Sequence, residues 1–227
     1  MNETIKGHYQ RVKRASDLLE GIVRRAFEDA VKRGEKNARA GFISRHAWNI
    51  QERGKDVLAA LAAERTGCLP ILNRPGLESL FNLGAAGSDP KFAHAKQAYE
   101  MQEASRLTKR MGECGDSRLD EELEQQLRVH EQVVRASGGI TGNEQFGTFR
   151  IAEKAGMVPV YRTDYFACSQ MTHANTGELG WERSPEEVAD DVRVTVFIHR
   201  AAGDVVNGLY CKSRNFKERL AELRDGI

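Results

Sequence analysis

Two pairs of polar residues stand four positions apart in stretches apolar enough to be buried. Arg74 and Glu78 lie within 68–86, and Ser169 and His173 close a segment that also carries Tyr161 and Tyr165. On a helix that spacing puts both members of a pair on one face. An uncompensated buried charge is costly, so an Arg and a Glu in a core-type helix must face each other, another polar group or a wet cavity. An imidazole that titrates near neutrality can take and return a proton, and a guanidinium can stabilise a phosphorane. Those two groups are sufficient in kind for metal-free RNA cleavage. Arg193 and His199, and Arg39 and His46, repeat an arginine-then-histidine spacing suited to the same chemistry. With 23 Arg and 6 His in 227 residues, roughly two such spacings arise by chance. The count therefore carries little weight, and Arg193–His199 keeps its interest because one well-capped helix holds both residues.

Two readings of these residues follow. In the catalytic one, His173 or His199 is the general acid and base, Arg74 holds phosphate, Glu78 orients the arginine or the histidine, and Ser169 and Arg193 complete the set. In the other, Arg74, Glu78, His173 and Ser169 form a buried polar network that fixes helix register.

Other chemistries find less support. Gly84-Ala-Ala-Gly87 has neither the preceding strand nor the lysine of a phosphate-binding loop, and no Gly-x-Ser-x-Gly elbow occurs. The six histidines form no His-x3-His or Glu-x2-His pair, and the four cysteines (Cys68, Cys114, Cys168, Cys211) form no CxxC. No metal or other cofactor is expected. No stretch approaches the roughly 20 apolar residues of a membrane span, and the N-terminus has no apolar signal core, so a cytoplasmic, membrane-free protein is expected.

A net charge of +1 gives no global field for nucleic acid. Residues 1–66, however, hold 14 Lys+Arg against 9 Asp+Glu. On the catalytic reading Arg24, Arg25, Lys32 and Arg33 would track an RNA backbone. The acidic 112–135 segment would serve, on the other reading, as a surface for a partner protein, whereas an antitoxin is the partner expected of a toxin. A homodimer is expected in either case.

The elements that must position these residues are helical. Apolar residues recur at three- and four-residue steps from Thr4 to Lys32, with a stop at Gly34. Residues 35–44 read as a connection, followed by a helix carrying Trp48, Val57, Leu58 and Leu61 to Arg65 and ended by Gly67. Pro75-Gly76 interrupts the central stretch, so its helix either starts at Pro75, which is the preferred reading, or is kinked there. Further helices are expected at 90–111, 118–136, 151–154 with a stop at Gly156, 159–173, from Ser184 to about Gly203, and 215–223. Val192, Val194, Val196 and Ile198 alternate as in a strand, but the Ser184-Pro-Glu-Glu187 cap favours a helix. The expectation is an all-α, single-domain bundle of seven to nine helices. It comprises basic N-terminal helices (1–66), a central region (68–177) and C-terminal helices (184–227).

Arg74 and Glu78, the Asp89-Pro90 helix start, then Tyr165, Ser169 and His173 occur in the order and spacing of a known family. Over about 68–177 the chain resembles an uncharacterised, mostly bacterial all-helical family with Arg-x3-Glu and Tyr…Ser-x3-His motifs. Pro75-Gly76 departs from the uninterrupted helix of that pattern. The resemblance implies a helical fold. By architectural analogy with the higher eukaryotes and prokaryotes nucleotide-binding (HEPN) nucleases, whose helices carry Arg, four to six residues, then His, it also implies a ribonuclease or toxin of the phage-defence or toxin–antitoxin type. A non-catalytic helical interaction or regulatory module is the alternative.

Overall fold

Helical periodicity dominates the chain, and the computed structural model describes residues 2–32, 38–89, 91–112, 125, 128, 146–173 and 183–210. The expected helices at 118–136 (apart from residues 125 and 128) and 215–223, the expected stop at Gly34, most of the acidic 112–135 stretch and Arg33 lie outside them. Seven helices are described: α1 (Glu3–Lys32), α2 (Ala38–Ala62), α3 (Leu69–Ser88), α4 (Phe92–Gly112), α5 (Thr148–Lys154), α6 and α7 (Pro185–Tyr210). The sixth, α6, is continuous through Val158–Val160, a π-helical turn at Tyr161–Tyr165 and Phe166–His173. No strand occurs among the described residues, and the molecule is an all-α bundle.

The centre of the bundle is made by α3 and α7. Most of α3 is buried, including Leu77, Leu80, Phe81 and Leu83. In α7, Val192, Val194, Val196 and Ile198 are all buried, so their alternation reflects a helix enclosed on several sides rather than a strand. Two apolar clusters share this framework. The smaller joins Ile5, Val12 and Ala15 of α1 to Val57 and Leu61 of α2 and to Val188, Val192 and Val196 of α7. The larger runs from Leu19 through Phe42, Ile50 and Phe81 to Ala201 and Val206. Because the N-terminal ends of α1 and α7 share one cluster while Gly203 lies against Ile22, α1 and α7 run in the same direction. The C-terminal end of α2 meets the start of α1, so α2 runs antiparallel to both.

Local chemistry sets several boundaries. Ser184 and Glu187 form a reciprocal capping box: Ser184 N–H donates to Glu187 Oε2 (2.8 Å), and Glu187 N–H donates to Ser184 Oγ (3.2 Å). Asp89 Oδ1 accepts from Lys91 N–H (2.9 Å) at the start of α4. Gly156, at φ 73°, reverses the chain after α5 while Met157 N–H returns to Ala152 O.

Three expectations are corrected. First, α2 begins at Ala38, inside the expected connection, and buries Phe42 and Ile43 there, whereas Trp48 is 58% exposed. Second, α2 ends at Ala62 and not at Gly67. Glu64 takes the left-handed conformation (φ 55°), and Arg65 N–H closes on Ala60 O (2.8 Å). Third, α3 does not start at Pro75. It starts at Leu69, with Pro70 in its first turn, and passes through Pro75. Burial of Leu69 and Asn73 before the proline and of Gly76 and Leu77 after it holds the helix together despite the missing donor.

Candidate functional site

The continuity of α3 settles the placement of its two charged residues. Arg74 and Glu78 lie one turn apart, and Arg74 Nε donates to Glu78 Oε1 at 3.3 Å. Facing them is α6, whose Tyr165 hydroxyl donates to the same Glu78 oxygen at 2.9 Å. The Arg74 guanidinium stands 5.8 Å from the centroid of the Tyr165 ring. One carboxylate oxygen thus gathers a cation and a phenol from two helices.

Packing fixes the phenol. The Tyr165 ring stacks on Tyr161 (centroids 5.0 Å apart) and tilts against Phe81 (5.8 Å). Burial, and then the bond to Glu78, push the Tyr165 pKa above its ordinary value, so the hydroxyl remains a donor at neutral pH. The side chains of Arg74 and Glu78 keep 23% and 40% of their exposure, which leaves the constellation open to solvent from one side. Tyr165 lies in the π-helical turn of α6, a local distortion frequent at working sites. Ser169 lies one turn further along α6 and is half-buried. His173 ends the described part of α6, and its side chain is outside the described residues.

Arg193 and His199 are not brought together. Arg193 points outward from α7, 3.3 Å from Asp164 Oδ1 and 3.6 Å from Asp190 Oδ1. His199 is 2% exposed; its Nδ1 is 2.8 Å from Thr195 O, and its other nitrogen is pressed against Gly54 of α2. Burial lowers its pKa, so the ring is neutral and sealed from solvent. Arg39 and His46 are similarly engaged in structure. Arg39 Nη2 donates to Ala86 O (2.8 Å) at the end of α3, and burial pushes His46, packed 4.4 Å from the Phe42 ring, down to about 3.

Of the basic residues expected to track RNA, Arg24, Arg25 and Lys32 are exposed on α1, and Arg33 lies outside the described residues. Arg25 bonds to Gly21 O, Lys32 is 3.9 Å from Asp29, and Arg24 borders a groove of about 550 Å³ that also contains Phe27 and Trp48.

Sequence reasoning missed a second polar cluster, between α3 and α7. Asn73 Nδ2 donates to Asp191 O (2.8 Å), and Thr195 Oγ stands 2.7 Å from Asn73 Oδ1 and 3.0 Å from Asp191 O. Arg183 Nη2 donates to Asp191 Oδ2 at 2.7 Å. Burial raises Asp191 to about 6 against the opposing pull of Arg183, and it raises the nearby Cys168 thiol to about 12. A thiol held that high is a packing group and not a nucleophile. The one sequence signal was a buried-type Asn beside Arg74.

Among the described residues, no group of three or more His, Cys, Asp or Glu side chains is placed to hold a metal ion, and no helix is long and apolar enough to cross a membrane. No family model, no curated protein and no solved structure matches the chain.

Proposed function

We propose that this chain is a metal-independent ribonuclease, or an RNA-directed effector of that chemistry, working at the face shared by α3 and α6. The observation that carries the reading is the convergence of Arg74 and Tyr165 on one Glu78 oxygen at a solvent-open edge. Tyr165, Ser169 and His173 follow one another at four-residue steps along α6 and so continue one side of that helix. In this role His173 takes the proton from a ribose 2′-hydroxyl as it attacks phosphorus and returns it to the departing 5′-oxygen. Arg74 offsets the charge that grows on the non-bridging oxygens. Glu78 holds the guanidinium, and the Tyr165 hydroxyl holds Glu78. His199 takes no part, because its ring is sealed between α2 and α7.

The test is cleavage of total cellular RNA by the purified protein in excess chelator, with melting curves to verify that each variant is folded. Cleavage is expected to vanish in Arg74→Ala and His173→Ala, to fall in Tyr165→Phe, and to survive in the folded fraction of His199→Ala. A wild-type protein that leaves RNA intact would overturn the reading. One observation favours a non-catalytic interaction module instead: Glu78 already satisfies both of its neighbours, as a register-fixing network would. On that reading Arg74→Ala and Tyr165→Phe lower the melting temperature and change nothing else.

A further inference from the structure

Away from the α3/α6 face, α1 and α7 run side by side with a groove of about 610 Å³ between them. Its rim carries Arg11 and Arg14 from α1 and Arg193 and Arg200 from α7, opposed by the single carboxylate of Asp190. All four arginines are exposed. Arg193 is engaged by Asp164 and Asp190. Among the described residues Arg11, Arg14 and Arg200 have no ion-pair partner. Three free guanidinium groups on adjacent, parallel helices are an unusual concentration in a chain whose net charge is +1, and they create a local positive potential that the whole molecule does not have.

The floor narrows the choice of occupant. Ala15, Val192 and Val196 are 5%, 1% and 9% exposed, which leaves Leu18, at 53%, and the small, half-buried Ala189 as the accessible apolar side chains of the lining. An amphipathic helix gains affinity by burying apolar anchors in such a groove, and here there is little left to bury. What the groove presents is charge in fork geometry, which suits oxyanions gripped by paired N–H donors. A phosphodiester backbone supplies such an anion at every unit, whereas an acidic peptide does so only where its sequence allows. Among the described residues no aromatic side chain lines the groove, so they offer bases nothing to stack on.

We infer that the α1/α7 groove binds the phosphate backbone of single-stranded RNA without reading its sequence, through Arg11, Arg14 and Arg200. This site is independent of the cleavage proposed at α3/α6. It also differs from the Arg24, Arg25, Lys32 face expected from the sequence.

The experiment is fluorescence anisotropy of the full chain with a labelled 20-nucleotide RNA over a salt series. The RNA is fully 2′-O-methylated, so the internal attack that begins cleavage is blocked and binding is read whether or not the protein is a nuclease. Each phosphate neutralised on a single strand contributes about −0.7 to the slope of log K against log salt. The wild type should therefore show a slope of about −2, from three free arginines. Arg11→Gln, Arg14→Gln and Arg200→Gln, all at exposed positions, should each flatten that slope by about 0.7 and weaken binding several-fold at low salt. The combined Arg24→Gln, Arg25→Gln variant should match the wild type. The inference is overturned if the triple variant binds as the wild type does, if only the Arg24/Arg25 variant loses affinity, or if no binding is seen at 50 mM salt. It is also overturned if a polyglutamate peptide of equal charge displaces the RNA at equal or lower concentration, which would assign the groove to an acidic protein segment.

Discussion

Glycine in the interior of a helix costs about 1 kcal/mol relative to alanine, so replacing one ordinarily stabilises a protein. Gly54 of α2 is expected to do the opposite. A Cβ built there would stand 2.3 Å from His199 Nε2 and 2.8 Å from Cε1. Those contacts would be inexpensive if the ring could swing away. It cannot do so freely: His199 is 2% exposed, and its Nδ1 is 2.8 Å from Thr195 O. Gly54→Ala therefore pushes α2 from α7 or breaks that bond, and overpacking of this kind costs about 1–3 kcal/mol. Set against the propensity gain of about 1 kcal/mol, the net change runs from about neutral to a loss of about 2 kcal/mol, or up to several degrees of melting temperature for a chain of this length.

Gly21 of α1, which would meet nothing within 4 Å, supplies the internal control. Gly21→Ala should gain up to about 1 kcal/mol. The assay is equilibrium denaturation of both variants, with Gly54→Ala repeated in a His199→Ala background. Removing the ring should abolish the penalty and leave a coupling of about 1 kcal/mol or more between the two positions. If Gly54→Ala raises the midpoint as Gly21→Ala does, the tight seat of His199 is wrong, and the argument that this histidine is sealed away from chemistry fails with it.

Acid should destabilise the fold through its buried histidines. His46 is held at about 3 by burial, below the ordinary 6.5, so the unfolded chain binds the proton first and stability falls as pH drops below 6.5. Between pH 6.5 and 5 this amounts to about 2 kcal/mol, and His199, lowered by the same cause, acts in the same direction. Asp191, raised to about 6, opposes them below pH 6 because the folded state then holds the extra proton. Denaturation midpoints should decline from pH 7 to 5, less steeply in His46→Gln; midpoints that rise toward pH 5 would show Asp191 to dominate. Thr195→Val should cost about 1–3 kcal/mol by leaving Asn73 Oδ1 buried without its donor, measurable as a fall in melting temperature, and an unchanged value would mean that water replaces the hydroxyl. Ser184→Ala should cost about 1 kcal/mol through the lost cap, with amide exchange accelerated at the first turn of α7 and not at its centre.

What could be read from the sequence was what neighbouring residues decide among themselves. The Ser184–Glu187 cap, the stop at Gly156 and the long stripe of α1 each involve residues a few positions apart, and all appear where their chemistry puts them. Pro75 misled because its local rule is real but small beside the burial of Leu69, Asn73, Gly76 and Leu77 on both sides of it. Trp48 misled in the other direction, since an aromatic at helical spacing need not face the core when Phe42, Ala47 and Ile50 already fill it. The spacing of Arg74 and Glu78 offered their pairing as one option, but the preferred start at Pro75 left Arg74 outside the helix, and the pair forms because α3 runs through the proline. That Tyr165 supplies the third contact was not legible, because it depends on how α6 docks on α3. The seat of His199 against Gly54 crosses helices in the same way, and nothing local distinguishes a sealed histidine from a working one.

The two faces proposed for RNA meet at one helix. Within the π-helical turn of α6, Tyr165 turns to Glu78 of α3, while its neighbour Asp164 accepts from Arg193 of α7 at 3.3 Å. The same short segment therefore touches both α3 and the Arg193 edge of the groove. Asp164 and Asp190 offset Arg193, so the positive potential along Arg11, Arg14 and Arg200 weakens on the α6 side. Taken with the two proposals, that charge balance would favour binding along α1 over entry to the α3/α6 face.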